Sequence, residues 1–202
     1  MADERPRCEA CGQPLDCPLV CEACGALAEP SGTPDPFAIF GIEPRFEQDG
    51  ETLRKRLLKL SRRLHPDFFG EDAEQRALAE RNSAALNDAY AQLSNDFARA
   101  SLLVATRGGP DSNTERQMPQ AFLMEVMEWN ETLEEAREAG SAGPEIDTLA
   151  NELASARAEA MDRAGSVLDL GQDPSEARRQ LNAVRYVDRA LEQIEELRLG
   201  ER

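Results

Sequence analysis

The stretch from Leu53 to Asp67 constrains the fold of this chain more than any other segment. Its leucines recur at helical spacing and form one apolar stripe, made of Leu53, Leu57, Leu60 and Leu64. Basic side chains fill much of the remaining surface, and no acid lies between Thr52 and Leu64. Since the whole chain carries 39 acids against 23 bases, a purely basic helical face indicates a specific role.

The predicted helix ends at His65, which is the only histidine of the sequence. Pro66 disfavours helical backbone at the residue before it and has no N–H to donate. We therefore expect His65-Pro66-Asp67 to form a short loop between two helices. A helix stop with a polar turn is the simpler interpretation, but the basic helix before the tripeptide favours a functional one.

The composition bounds both the fold and the function. A chain of 202 residues suits one or two domains, and its abundant Ala, Leu, Glu and Arg favour helices. The net charge of −16 argues against general binding to nucleic acids or anionic membranes. No run approaches the roughly 20 apolar residues of a membrane span, and the first residues lack the apolar core of a secretory signal. We therefore expect a soluble, cytoplasmic protein.

All the cysteines precede residue 25, and four of them form two near-identical C-x-x-C-G turns. The turns contain Cys8 and Cys11, then Cys21 and Cys24. Two such knuckles can supply four sulfurs to one tetrahedral zinc ion, and the metal then folds a segment too short for its own core. Cys17 lacks a C-x-x-C partner and is left out of the predicted ligand set.

A disulfide pair, a redox motif and an iron site are the alternatives for these cysteines. Disulfides suit secreted proteins, and a redox C-x-x-C normally accompanies a βαβ pattern, which this sequence lacks. We favour one structural zinc ion in a segment over residues 1–29. We also expect the helical domains to fold without this segment, because their apolar stripes look complete.

Two stretches rich in proline or glycine, 29–36 and 107–113, divide the rest of the chain. A helical domain is expected over 36–106 and a second one over 118–199. The second contains three apolar stripes, which begin at Phe122, Ile146 and Val184 and predict a three-helix bundle. The predicted fold class is therefore all-α, with an N-terminal zinc knuckle, a helical hairpin and a three-helix bundle.

The first helix of the predicted bundle has a second apolar face. Leu123, Met124 and Met127 point away from the stripe of Phe122 and Leu133 by roughly 150° on a helical wheel. Acidic residues share or border this outer face. An exposed apolar patch of this kind indicates a binding surface unless another part of the chain covers it.

The basic helix, the tripeptide and the later stretch 86–93 resemble the J-domain of DnaJ-type co-chaperones. The resemblance implies an antiparallel helical hairpin with the tripeptide at its tip, which docks onto a DnaK/HscA-type chaperone and stimulates its ATPase. The residues that it assigns to this contact are Lys55, Lys59, Arg62, Arg63, His65, Pro66 and Asp67. Members of this family commonly have a basic residue after the tripeptide, where this chain has Phe68.

Residues 118–135 and 184–191 are similar to the C-terminal domain of HscB-type iron–sulfur co-chaperones. Some members of that family also carry an N-terminal two-knuckle zinc segment. The resemblance implies that the bundle binds an IscU-type scaffold through its outer face. The residues that it assigns to this face are Leu123, Met124, Met127, Glu128, Glu131, Glu135 and Tyr186. Met127 and Tyr186 stand where the family more often has leucine and phenylalanine.

The function implied by both resemblances is a non-enzymatic co-chaperone for iron–sulfur cluster assembly. Its partners, and not this chain, would bind the nucleotide and the cluster. A general J-domain co-chaperone for unfolded clients is the alternative. An enzyme and a zinc-ribbon nucleic-acid binder are less favoured, because histidine-based sites are confined to His65 and the net charge opposes nucleic acid.

Overall fold

The computed structural model describes residues 5–112, 114–115, 118–140 and 143–200, and within these residues the regular structure is helical. The helices are α1 (Pro36–Phe40), α2 (Gly50–Arg63), α3 (Ala73–Ser94), α4 (Asp96–Thr106), α5 (Gln120–Ala139), α6 (Pro144–Asp169) and α7 (Pro174–Gly200), with a 3-10 turn at Pro66–Phe69. The predicted all-α class is confirmed. None of the helices in the described part is long and apolar enough to cross a membrane.

The chain divides into two compact units, Met1–Arg99 and Ala100–Arg202, so that the boundary falls within α4. Unit 1 contains the cysteine segment and α1 to α3, and unit 2 contains α5 to α7.

Each of the two long helices of unit 1 has an aspartate as its N-cap residue. The carboxylate of Asp49 accepts hydrogen bonds from the amides of Glu51 and Thr52, at 3.1 and 3.3 Å. Asp72 caps α3 in the same way. These bonds satisfy amides that have no partner within the first turn of a helix, and the negative charge suits the helix N-terminus.

The helices of unit 1 enclose one apolar core. Phe37, Ile39 and Phe40 of α1 are buried, as are Leu53 and Leu60 of α2. The hydroxyl of Ser83 on α3 donates to the carbonyl oxygen of Leu64, 3.0 Å away, where α2 ends. The α2 and α3 helices therefore form the expected hairpin, with the histidine-containing turn between them.

The cysteine segment also contributes to this core. Leu19 and Val20 are fully buried, and the amide of the buried Asn82 on α3 donates to the carbonyl oxygens of Leu19 and Ala28, at 2.8 and 2.9 Å. The expectation that the apolar core is complete without the segment is wrong. Leu19 and Val20 lie outside any periodic pattern, so the sequence alone gave no sign of their burial.

Unit 2 is built on the hairpin of α6 and α7, against which α5 packs. The shared core contains Leu133 and Ala136 of α5, Ile146, Leu149 and Leu153 of α6, and Val187, Ala190 and Ile194 of α7. The predicted three-helix bundle is thus observed. Phe122, Val126 and Trp129 are only half-buried, because the N-terminal half of α5 is less enclosed than its C-terminal half.

The glycine-rich connection after α4 is tied to unit 2 rather than being a free linker. The amide of Gly109 donates to the carbonyl oxygen of Val104 at 2.9 Å, and a Cβ atom at Gly109 would lie 2.7 Å from Val104 Cγ1. The guanidinium of Arg178 on α7 donates to the carbonyl oxygen of Pro110 at 3.1 Å. Close packing therefore explains a glycine that the sequence presents as a linker residue.

Candidate functional site

Four cysteines of the N-terminal segment converge on one point. The Sγ atoms of Cys8, Cys11, Cys21 and Cys24 all lie within 4.8 Å of one another. Cys8 Sγ is 3.6 Å from Cys24 Sγ, and Cys11 Sγ is 3.7 Å from Cys21 Sγ. The segment achieves this with two short turns, closed by bridges between Arg7 and Pro14 and between Val20 and Leu27.

These distances test whether the residues fit a metal ion. A tetrahedral ion with metal–sulfur bonds of about 2.3 Å separates its sulfurs by roughly 3.8 Å, as the closer pairs are separated here. A disulfide would bring two sulfurs to about 2.0 Å, and all the cysteines are free. The cluster can therefore hold a metal ion, and the predicted ligand set is the one that the structure brings together.

The backbone around the second knuckle favours thiolate. A hydrogen bond from the amide of Cys24, aided by the amide of Ala23, lowers the pKa of Cys21 to about 7. Amides directed at sulfur stabilise the deprotonated form that binds metals. Cys17 is fully buried and outside the cluster, and burial raises the pKa of its thiol. Cys17 is therefore a small core residue in this structure.

The His65-Pro66-Asp67 tripeptide lies at the end of α2, where His65 is extended and Pro66 starts the 3-10 turn. The imidazole Nδ1 of His65 accepts a hydrogen bond from the amide of Asp67 at 3.3 Å. The side chains of His65 and Asp67 remain 56% and 85% exposed. Phe68 is exposed too, and its ring meets the imidazole edge to face at 6.1 Å. The side chains of His65 and Asp67 are thus fixed by a local hydrogen bond and remain exposed to solvent.

Cationic side chains on one side of α2 are bound to Glu22, which lies within the second C-x-x-C turn. The Glu22 carboxylate contacts the guanidinium of Arg56 and lies 2.5 Å from the ammonium of Lys59. Its backbone carbonyl oxygen accepts a hydrogen bond from Arg63 at 2.6 Å. The hydrogen bond from Arg56 lowers the pKa of Glu22 to about 2, and the bond from Lys59 adds to the effect.

The contacts of Glu22 were not predicted from the sequence, although one signal for them was present. Glu22 is an acid between two predicted metal ligands, in a chain whose only strongly basic segment is α2. Arg62, by contrast, lies on another side of α2, and Lys55 lies between Arg62 and Lys59 around the helix. Lys55 pairs with Glu51 of its own helix at 3.0 Å, and Arg62 is exposed.

The outer face of α5 presents its apolar side chains to solvent. Leu123, Met124 and Met127 are 41%, 57% and 63% exposed, and Tyr186 of α7 is 41% exposed. The acids Glu128, Glu131 and Glu135 are also exposed. The structure therefore brings the predicted apolar residues to the surface of unit 2, where exposed apolar clusters commonly bind partners.

Three aromatic side chains next to this surface join α5 and α7. The ring of Phe122 meets Trp129 at 5.7 Å and Tyr186 at 5.8 Å, both edge to face. Such contacts fix ring positions and add to the stabilisation from burial. They explain how Tyr186, far along the chain, comes to lie beside the N-terminal half of α5.

Comparison with known proteins identifies the family. The chain is 32% identical over 195 residues to the human iron–sulfur cluster co-chaperone protein HscB, which covers 94% of this chain and 81% of the relative. The chain belongs to the HscB co-chaperone family. A co-chaperone protein HscB homolog from Burkholderia thailandensis is 36% identical over 168 residues, covering 80% of this chain and 94% of the relative.

A family model and a solved structure agree with this assignment. The model described as the HSCB C-terminal oligomerisation domain matches residues 118–195. The crystal structure of human co-chaperone protein HscB superposes with a TM-score of 0.81 at 29% identity, covering 96% of this chain and 99% of that one. The similarity thus includes almost the whole chain.

Proposed function

We propose that this protein is a co-chaperone of iron–sulfur cluster assembly that joins two partners. The turn after α2 activates the ATPase of a DnaK/HscA-type chaperone, and the outer face of α5 holds an IscU-type scaffold. The protein itself would perform no chemistry, and both the nucleotide and the cluster would belong to the partners. The human relative is named an iron–sulfur cluster co-chaperone, which supports this assignment.

The exposed histidine turn is the observation that carries the proposal. His65 and Asp67 are ordered by a hydrogen bond between them and yet are directed to solvent. Preorganised polar groups at the tip of a rigid hairpin lose little entropy on binding a partner. We propose that His65, Pro66 and Asp67 contact the ATPase, together with cationic residues of α2 that include Lys55 and Arg62.

The scaffold would bind to unit 2. Leu123, Met124, Met127 and Tyr186 form its apolar centre, and Glu128, Glu131 and Glu135 lie around that centre. Apolar and aromatic residues at the centre of an interface commonly supply most of its affinity, whereas charges at its edge speed the encounter. We propose that this arrangement presents the scaffold while the other unit engages the ATPase.

Zinc is the metal that we propose for the four-cysteine cluster. A set of four thiolates with tetrahedral spacing and no open position is typical of structural zinc. When bound, the ion would cross-link the two C-x-x-C turns and would take no part in catalysis. A reducing compartment such as the cytoplasm would keep the thiols available for it.

Steady-state ATP hydrolysis by the cognate chaperone tests the first contact. The wild-type chain should stimulate hydrolysis several-fold, and His65→Gln should abolish the stimulation. Glu80→Gln, an exposed change on α3, is the matched control and should stimulate like the wild type. Undiminished stimulation by His65→Gln would overturn the proposed ATPase contact.

A binding assay tests the second contact. The scaffold should bind the chain and raise the stimulation further, whereas unfolded model clients such as a reduced, denatured protein should not compete with it. If the unfolded clients compete equally well, the general J-domain co-chaperone becomes the better description.

A further inference from the structure

Five of the six cationic residues of α2 form two separate rows, and Lys55 lies between these rows. Arg56, Lys59 and Arg63 follow one another at spacings of three and four residues, and we refer to them as the covered row. Arg54 and Arg62 are eight residues apart with Leu58 midway between them, and these three make the open row. At 100° per residue the centres of the two rows lie about 130° apart around the helix axis.

The covered row is neutralised within the chain. The carboxylate of Glu22 contacts both Arg56 and Lys59, and its carbonyl oxygen accepts from Arg63. The side chains of Glu22 and Arg56 are only 16% and 18% exposed. Lys59 is still half exposed, but its ammonium lies against the carboxylate. An incoming acidic partner would have to displace Glu22 to use this row, at the cost of burying an unpaired charge.

The side chains of the open row, by contrast, are exposed to solvent. Arg54 and Arg62 are exposed and have no ion pair with any residue of the described chain. Leu58 between them is 52% exposed, although it is a large apolar side chain on a helix that already buries its leucine stripe. Phe68, in the turn that follows α2, is 73% exposed. Within the described part of unit 1, Leu58 and Phe68 are the large apolar side chains that remain exposed.

We propose that Glu22 restricts the partner-binding surface of α2 to the open row. This inference rests on the proposed function, since the partner is the ATPase of that proposal. The docking surface then comprises Arg54, Leu58 and Arg62, and continues through the histidine turn to Phe68. The cysteine segment acts as an internal partner that occupies the covered row permanently.

The open row also defines the chemistry of the surface that fits it. Two guanidinium groups that flank an apolar side chain match an apolar spot bordered by carboxylates. Arginine suits this contact because its planar group binds carboxylates in a bidentate manner. Leu58 and Phe68 are exposed in the isolated chain and would be buried by such a partner.

Amine labelling tests the division of α2 without any enzymatic assay. Lys55 and Lys59 are the only lysines of the chain, so a brief reaction with an amine-reactive ester, followed by peptide mapping, compares a lysine of the covered row with one outside it. Lys59 should react several-fold more slowly than Lys55, and Glu22→Gln should bring its rate close to that of Lys55. Equal rates in the wild-type chain would overturn the covered row.

The same reaction in the presence of the cognate ATPase locates the partner. Lys55 lies next to Arg62 on the helical wheel, so a saturating amount of the chaperone should slow the labelling of Lys55 several-fold and leave Lys59 at its own rate. Protection of Lys59 with continued labelling of Lys55 would overturn the assignment of the partner to the open row.

Matched double variants provide the functional test. Arg54→Ala with Arg62→Ala and Arg56→Ala with Lys59→Ala each remove two positive charges from α2. The first pair should raise the chaperone concentration for half-maximal stimulation about tenfold, with an unchanged melting temperature. The second pair should lower the melting temperature and have the smaller effect on that concentration. A larger effect of the second pair, in protein that is still folded at the assay temperature, would overturn the inference.

Failure of this inference is distinguishable from failure of the proposed function. If the wild-type chain does not stimulate the ATPase, or if His65→Gln stimulates it fully, the proposed function fails. If His65→Gln is inactive but the two double variants are equally impaired, the proposed function stands and the division into rows is wrong.

Discussion

Glu22 Oε2 lies 2.5 Å from the ammonium of Lys59, although the two residues are 37 positions apart in the sequence. This contact joins a metal-binding turn to the helix that precedes the histidine turn. Because Glu22 lies between Cys21 and Cys24, its position depends on how the turn is held. The segment at the N-terminus is therefore a part of unit 1 rather than an appendage to it.

The Glu22 contact should contribute measurably to stability. Glu22→Gln removes the charge that Arg56 and Lys59 face, and we expect the free energy of unfolding to fall by about 1.5–3 kcal/mol, as for hydrogen bonds to charged groups. Urea denaturation followed by circular dichroism measures the change. Glu29→Gln is the control, because its ion pair with Arg81 is exposed and should contribute less than about 1 kcal/mol. Equal losses in both variants would contradict the special role of Glu22.

Asn82 should contribute to the free energy of unfolding about as much as an apolar core residue does. Asn82→Leu removes one of the two donors to the buried carbonyl oxygen of Leu19, which keeps the amide of Ala28, and removes the side-chain donor to the partly buried carbonyl oxygen of Ala28. Such losses cost about 1–3 kcal/mol. Asn87→Leu places the same side chain on an exposed position of α3 and should stay within about 0.5 kcal/mol of the wild type. The comparison requires only denaturation curves. A neutral Asn82→Leu would mean that the segment is not anchored through these carbonyls.

The helices of this chain were predictable because apolar periodicity is a local signal. The stripes of α2, α5, α6 and α7 follow from spacing alone, and so does the convergence of the cysteines, since two C-x-x-C turns can satisfy only one tetrahedral ion. The contacts of Glu22 and Asn82 were not predictable in this way. Each joins residues far apart in the chain, and nothing in a single sequence indicates which acid meets which base.

The N-terminal half of α5 shows a second limit of sequence reasoning. Periodicity placed the stripe that runs from Phe122 to Leu133, with Val126 and Trp129 at helical spacing between them, on the core side of α5. The structure buries Leu133 fully but Phe122, Val126 and Trp129 only in part. A helical wheel shows in which direction a side chain points, but not whether another element packs over it. The burial of residues at one end of a helix therefore does not predict the burial at its other end.

Metal content should follow the cysteine cluster. Protein purified without chelator should contain about one zinc per chain, because four thiolates complete one tetrahedral site. Cys11→Ser should lower the zinc content and the melting temperature together, since metal binding and folding of the segment are coupled. Elemental analysis and a thermal melt on the same sample measure both.

Cys17→Ser is the control for the metal site. Cys17 is buried outside the cluster, so the variant should retain its zinc and lose only some stability from burying a hydroxyl. Retention of zinc in Cys11→Ser together with its loss in Cys17→Ser would show that the cluster is not the metal site.

The outer face of α5 allows binding to be separated from folding. Leu123 and Met127 are exposed, so their replacement by alanine should leave the melting temperature almost unchanged. Each side chain would contribute about 1.5–3 kcal/mol if a scaffold buried it completely. We therefore expect Leu123→Ala with Met127→Ala to weaken scaffold binding at least about a hundredfold, which corresponds to about 3 kcal/mol. Calorimetric titration with the scaffold measures this loss.

Two comparisons make this last prediction specific. Leu170 and Leu199 are exposed apolar residues elsewhere on unit 2, and their double alanine variant should bind the scaffold like the wild type. Leu133→Ala, in the core, should instead lower the free energy of unfolding by about 2–5 kcal/mol. Because the histidine turn is untouched, the Leu123 and Met127 variant should keep the basal ATPase stimulation and lose only the part that the scaffold adds. Wild-type scaffold affinity in that variant, or an equal loss in the Leu170 and Leu199 variant, would mean that the scaffold binds through a different surface.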